Sequence, residues 1–347
     1  MCGIIGIVSR PPTRVTPDAA DLLNGLDGAI ESAGAGDLVG GGGQARAVDE
    51  ALRGLPGVLA LVGHLDLVAA ITSRLDRLDA IALEAEQRLD TNADDLDAEA
   101  LEQANAQLID LKDALWAIRH DRLRTAREVE ALAGRDAPAS ALGGYLAVQQ
   151  AFSAIDRLEV RGRDSAGLHV FVWGHDIDGD ALAALVAERG NDPLFQSGAV
   201  VAAGDCLSFV YKAAAEIGEL GDNTAALRRA LDADGLLRRA LQSPAARVAI
   251  LGHTRWASVG IISEPNTHPL NSFELEQPGG SNPPYVVAAL NGDVDNHADL
   301  RVAHGLRIAS TITTDAKVIP ALVARHAAAA PLGEAFRRTV AEFEGSV

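Results

Sequence analysis

The eight residues Met1-Cys2-Gly3-Ile4-Ile5-Gly6-Ile7-Val8 constrain this chain more than any other stretch. Ile4, Ile5, Ile7 and Val8 form a short β-branched apolar run, which predicts a buried strand. A cysteine stands one peptide bond from the chain start, and removal of Met1 leaves a thiol and a free α-amino group on one residue. An α-amine titrates near ~8 and acts as a base at neutral pH. A thiol beside its own amine base is one solution to nucleophilic catalysis. Gly3 and Gly6 admit close approach of other backbone. A cysteine at position 2 is a weak pattern alone, so the rest of the chain has to support it.

The bulk properties narrow the field. A length of 347 residues with 48% hydrophobic content supports one large domain or two smaller ones, with a sizeable core. A net charge of −18 argues against nucleic acid or an anionic membrane as the main partner. Cys2 and Cys206 are the only cysteines, which excludes a disulfide framework or a cysteine metal cluster and fits a reducing cytoplasm. No basic region precedes the first apolar run, and no apolar stretch approaches the ~20 residues of a membrane span. His297 and His304 lack a third ligand at metal spacing and receive no role; no metal or cofactor is expected.

After Val8, Pro11-Pro12 ends the strand. Residues 18–30 suggest a short helix weakened by Gly25 and Gly28, and the run Gly40 to Gly43 reads as a flexible loop. No Lys-Ser or Lys-Thr follows in the register of a phosphate loop. A strong periodic pattern then begins. Val68, Ile71, Leu75, Leu78, Ala82, Ala85 and Leu89 step by threes and fours, residues 90–95 interrupt, and the stepping resumes from Leu101 to Leu132. This predicts an antiparallel helical hairpin over 66–132, either packed on itself or serving as a docking arm. Residues 133–140 read as a linker, so 11–143 looks inserted between the first strand, 1–10, and the remainder, 144–347.

In that remainder, strands are expected at 168–173, 199–203, 207–211, 247–252 and 285–290, with helices near 146–158 and 316–326. Polar clusters follow several strands, where scaffolded sites tend to sit: Arg161-Gly-Arg-Asp-Ser-Ala-Gly, His253-Thr-Arg-Trp-Ala-Ser, Asn266-Thr-His-Pro, Asn291-Gly and Thr314-Asp315.

Together with Met-Cys-Gly-Ile-Ile-Gly-Ile, these blocks resemble, in order, the class II glutamine amidotransferases, and most closely the glutaminase domain of the glucosamine-6-phosphate synthases. The Arg-Gly-x-Asp-Ser-Ala-Gly and His-Thr-Arg-Trp-Ala blocks favour these over the phosphoribosylpyrophosphate amidotransferases. The resemblance covers 1–10 and about 144–347. It implies an α+β, αββα N-terminal-nucleophile sandwich that hydrolyses L-glutamine through a cysteine thioester. Cys2 would be nucleophile and base, with Asn291 and Gly292 as oxyanion donors. Arg255 would take the substrate α-carboxylate and Asp315 the α-ammonium. Trp256, Ser258 and His268 would line or support the pocket, and Arg161 would lie near the nucleophile. The implied partners are glutamine and a sugar-phosphate isomerase-type acceptor domain, located beyond residue 347 or in trans. A homo-oligomer is compatible with the chain.

Plain alternatives stand beside these roles. Arg255 suits a surface ion pair, Asp315 a helix N-cap and Asn291-Gly292 a hairpin turn. A non-catalytic scaffold relative or an amidohydrolase for another amide is the competing function. Val259 stands where the family has His, and Ser258 where it has Thr. Cys206 has no counterpart and reads as a small buried hydrophobe. Glu344-Gly-Ser-Val resembles the opening of a family strand, so the sandwich is expected to be incomplete and 1–347 alone poorly active and poorly soluble.

Overall fold

A computed structural model of the chain describes residues 2–91, 97–187, 196–214, 219–273 and 284–346. Met1 and most of the polar break between the two periodic stretches lie outside the described residues. The chain forms two compact units, one of Met1–Ser9 with Gln150–Val347 and one of Arg10–Gln149.

The second unit is helical throughout: α1 (Ala19–Gly34), α2 (Leu38–Ala51), α3 (Gly54–Leu61), α4 (Leu65–Thr91), α5 (Ala98–Trp116), a π-helical segment (Ala117–Leu123), α6 (Arg124–Ala133) and the first half of α7 (Ala139–Leu158). The periodic residues Ile71, Leu75 and Leu78 of α4, and Leu108, Leu111 and Leu115 of α5, are buried. Ion pairs Lys112–Glu86, Arg119–Asp76 and Arg119–Asp79 join α4 to α5 and the π segment that continues it, in antiparallel order. The hairpin does not stand alone, because α4 packs on α1 and α5 on α2.

The glycine run is not a loop. It lies within α2, which begins at the N-cap Asp37, whose side chain accepts from Gly40 N at 2.9 Å. A Cβ on Gly41 would come within 2.9 Å of Ala33 Cβ and 3.1 Å of Ala29 O in α1, and one on Gly42 within 3.5 Å of Leu111 N in α5. Gly25 in α1 is likewise closed by Val48 of α2 at 2.8 Å. Glycines cost a helix up to ~1 kcal/mol each. Here they let three helix backbones approach closely, and the packing gained offsets that cost. Among the described residues no single helix is long and apolar enough to cross a membrane.

The other unit is built on a five-stranded antiparallel sheet ordered β1-β5-β2-β4-β3, with β1 Gly3–Val8, β2 Ser165–Trp173, β3 Val200–Ala203, β4 Cys206–Ala213 and β5 Arg247–Arg255. Alternation along the strands gives the sheet two faces. One carries Ile5, Leu168, Tyr211 and Ile250; α9 (Asp222–Asp232) covers it, and Tyr211 reaches Asp234, the N-cap of α10 (Gly235–Ala240), at 2.7 Å. The opposite face carries His169, Lys212, His253 and Ser208. It meets the strand pair β6 (Leu270–Asn271) and β7 (Val287–Ala288), on which α12 (Val318–Ala327) packs. A second strand pair joins β8 (Asp293–Val294) to β9 (Gly345–Ser346). Layers of helix, sheet, short strands and helix result. The strand expected over 285–290 shortens to Val287–Ala288. Helices α8 (Gly179–Ala187), α11 (His297–Ala303) and α13 (Leu332–Val340) complete the set.

The glycine reading is testable by a pair of substitutions in α2. A Cβ at Gly43 meets nothing within 4 Å, so Gly43→Ala should raise stability by ~0.5–1 kcal/mol. Gly41→Leu should lower it by ~1–3 kcal/mol through overpacking against α1. Urea unfolding followed by circular dichroism measures both, and a loop would make both substitutions nearly neutral.

Candidate active site

Strand register assembles the site. Gly3 pairs with Thr254 and Arg255 with Ser165, so the starts of β1 and β2 and the end of β5 share one edge of the sheet. Cys2 therefore lies beside the turn that leaves β5. Trp256 N donates to Cys2 Sγ at 3.3 Å, and Sγ lies 3.6 Å from Trp256 O. The Cys2 nitrogen donates to Asn291 Oδ1 at 3.1 Å. That nitrogen is an amide while Met1 is attached and becomes the α-amine on its removal. With Oδ1 so engaged, Asn291 keeps its Nδ2 donor without a partner among the described residues.

The turn itself is fixed by Asp164, a residue of the Arg161–Gly167 block to which the sequence assigns no role. Asp164 N donates to Arg255 O at 3.1 Å, and its Oδ2 accepts from Ala257 N at 2.7 Å. Ser258 Oγ donates to Asp293 Oδ1 at 2.5 Å, tying the turn to β8 beside Asn291. A Cβ on Gly292 would fall 1.8 Å from Ser346 O. The close neighbour that requires glycine there is thus the passing β9 strand.

Arg255 is 2% exposed, with Nη1 donating to Ile261 O at 3.2 Å and Nη2 to Val259 O. Burial lowers its pKa, while Cys2, Asp315 and Asp164 oppose that shift. Its guanidinium thus closes the 256–261 turn on itself. Gly260 in that turn has φ +85°, and a Cβ there would meet Thr314 N at 2.8 Å. Asp315 Oδ2 accepts from Val294 N at 2.7 Å, and Oδ1 accepts from Thr314 Oγ1 at 3.3 Å. The N-cap position of its 3₁₀ turn belongs to Thr314, so capping does not account for Asp315. Asn266 accepts from Thr313 N at 2.7 Å and Thr314 N at 2.9 Å and donates to Thr311 O at 3.0 Å, holding the irregular segment that presents Asp315. Trp256 is 58% exposed. Arg161 is exposed and makes no hydrogen bond or ion pair with the other candidate residues.

Beneath this edge lies a buried polar layer. His268 is 4% exposed, its ring centroid is 4.6 Å from that of His253, and its Nε2 contacts Thr314 Oγ1 at 3.3 Å. His253 Nε2 lies 2.9 Å from Leu290 O, just before Asn291. Burial is the leading cause of three depressed histidines: His253 falls to about 4, His169 to about 3, and His268 well below 6.5. Burial, with Lys317 nearby, also brings Lys212 down to about 7. Lys317 donates to Asn271 O at 2.6 Å and Phe273 O at 2.5 Å. Cys206 is 8% exposed and burial pushes its thiol up to about 12, the behaviour of a small buried hydrophobe. Among the described residues no group of His, Cys, Asp and Glu is placed to hold a metal ion.

Comparison with known proteins relates part of this chain to the glutamine-dependent aminotransferases. The glutamine–fructose-6-phosphate aminotransferases (isomerizing) of Bordetella pertussis, Bordetella parapertussis and Bordetella bronchiseptica are each 34% identical to it over 97 residues. The match covers 28% of this chain and only 15% of each relative's length. No protein-family model matches the chain, and no solved structure matches it.

The histidine layer sets an acid limit. A group whose folded pKa is depressed binds its proton in the unfolded chain first, so its stabilising share is present above the unfolded value and lost as pH falls. For His253 the window runs from 6.5 down to about 4, and for His169 down to about 3. Each costs up to ~1.4 kcal/mol per pH unit inside its window. Lys212 adds the same sign between 10.5 and about 7. Unfolding free energy measured in urea should therefore fall steadily from pH 6.5 to 4, and His169→Phe should flatten that slope.

Proposed function

We propose that this chain is a glutaminase of the class II amidotransferase type, folded as an N-terminal-nucleophile sandwich and supplying ammonia to an acceptor site. The layering of helix, sheet, short strands and helix supports the fold. The single observation that carries the function is the pair of contacts at Cys2: its nitrogen on Asn291 Oδ1 at 3.1 Å and its sulfur on Trp256 N at 3.3 Å.

The α-amine of Cys2 takes the thiol proton, and the sulfur attacks the side-chain carbonyl carbon of glutamine. The C–S bond forms as the carbonyl π pair moves to oxygen, where Asn291 Nδ2 donates to the oxyanion. Collapse breaks the C–N bond, and the amine returns its proton to the departing ammonia. Water then attacks the thioester, freeing glutamate and the thiol. Arg255 carries the positive charge expected for the substrate carboxylate, and Asp315 the negative charge for its ammonium. The acceptor in the partial relatives is fructose 6-phosphate by name, and amino-sugar phosphate synthesis is the corresponding proposal here. A second reading, a non-catalytic relative, is favoured by the closure of Arg255 on Val259 and Ile261.

Turnover decides between them. Intact mass of an active preparation should show Cys2 as the first residue, because the base is free only then; full activity with Met1 retained would overturn the mechanism. Cys2→Ala should abolish glutamine hydrolysis while glutamine still binds, measured by calorimetry. Asn291→Ala should lower kcat by ~10²–10³-fold, the usual cost of one oxyanion donor. Arg255→Ala should act chiefly on binding, by ~2–3 kcal/mol. Absence of turnover in the unmodified, Met1-free chain favours the scaffold reading.

A further inference from the structure

The helical unit holds a cleft of about 970 Å³, walled by the end of α3, the start of α4, the π-helical segment and α6. That volume lies within the ~300–1,000 Å³ of small-ligand sites. Its floor is apolar, built on Leu65, Val68 and Leu123, and Leu65 is 56% exposed. Its rim is cationic. Arg119, Arg124, Arg127 and Arg135 line it against a single acid, Glu130, in a chain whose net charge is −18.

These arginines differ in what they already hold. Arg119 is bound by Asp76 and Asp79, and Arg135 by Glu130. Arg127 has only its neighbour Glu128 at 3.5 Å. The Arg124 side chain has no hydrogen bond or ion pair among the described residues. The π segment explains why it points here. Arg124 N–H bonds to Arg119 O, five residues back. In an α-helix five residues turn through ~500°, which leaves two side chains ~140° apart. The wider turn brings Arg119 and Arg124 onto the same cleft. Single π turns cost regular bonding and recur at functional sites.

We propose that this cleft binds an amphipathic carboxylate: a single apolar chain lying over Leu65, Val68 and Leu123, with its carboxylate on Arg124 and Arg127. Apolar floor and unspent cations demand both parts of such a ligand. The site is independent of the Cys2 chemistry, which lies in the other unit.

The test uses the full chain and three ligands of equal chain length: decanoate, decanol and decyltrimethylammonium. Calorimetry measures affinity. Trp116, stacked on His120 of the cleft wall at 4.8 Å, gives an independent fluorescence signal. Decanoate should saturate one site per chain, decanol should bind at least about tenfold more weakly, and the cation should not bind. Arg124→Glu with Arg127→Glu, both exposed positions, should weaken decanoate at least about tenfold and leave decanol unchanged. Val68→Trp, filling the floor, should remove both, with thermal unfolding confirming that the variant is folded. A second cleft of about 860 Å³, between Phe171, Trp173, Phe273 and Tyr285, has no charged residue in its walls among the described residues. Binding there would ignore the arginine substitutions. Equal affinity for all three ligands, an unchanged decanoate affinity in the double variant, or no saturation by about 1 mM overturns the proposal.

Discussion

The antiparallel pairing of β1 with β5 is the constraint on which the rest of the site depends. Six consecutive Cα pairs, from Gly3↔Thr254 to Val8↔Ala249, fix the position of Cys2 against the turn at Trp256. A slip of one residue would turn every side chain of β1 to the opposite face and carry the thiol away from Trp256 N. The pairing is protected from slipping by Ile5, buried at 7% exposure, and by Gly3, where a Cβ would collide with Leu158 and Thr254. A residue next to a chain terminus ordinarily frays. Here six ladder positions hold the strand that follows Cys2, and Asn291 holds the Cys2 nitrogen.

That ordering extends inward through backbone rather than through charge. Asp164, Asn266 and Asp315 each accept from main-chain N–H groups of a neighbouring segment. Each carboxylate or amide thereby positions a turn that a strand register alone would leave loose. Beneath them, His253 and His268 stay neutral at physiological pH because burial disfavours their charge. Neutral imidazoles add no positive charge beside Arg255, whose burial-lowered pKa is opposed by Cys2, Asp315 and Asp164.

Much of this was legible in the sequence, for identifiable reasons. Blocks rich in Gly, Asp, Arg and Asn stand out because side chains that bond backbone, and glycines that admit close approach, are what hold these segments together. The periodic stretches of α4 and α5 were legible because the same apolar stripe that stabilises a helix in packing is visible as spacing. Gly40–Gly43 was not legible. A glycine's propensity argues for a loop, and the compensation comes from Ala29 and Ala33 of α1 and from Leu111 of α5, the last far along the chain. The helix expected over 18–30 in spite of Gly25 and Gly28 is α1, which continues to Gly34. The roles of Asp164 and Asn266 stayed hidden because main-chain partners in other segments have no sequence signature of their own.

Arg255 has a structural role apart from the proposed one. A buried guanidinium needs its donors satisfied, and the carbonyls of Val259 and Ile261 do that. Those acceptors belong to the turn beginning at Trp256, the residue that also contacts the Cys2 sulfur. A substrate carboxylate brings a full charge where the carbonyls bring only dipoles, and charge-assisted bonds are roughly twice as strong. Under the proposed function, substrate binding would therefore exchange one set of acceptors for a better one and loosen the 259–261 end of the turn. The 256–257 end, held by Cys2 and Asp164, would stay in place. Under that proposal such a division would let the turn admit glutamine without disturbing Cys2, and it fits a Val259 that contributes only its carbonyl.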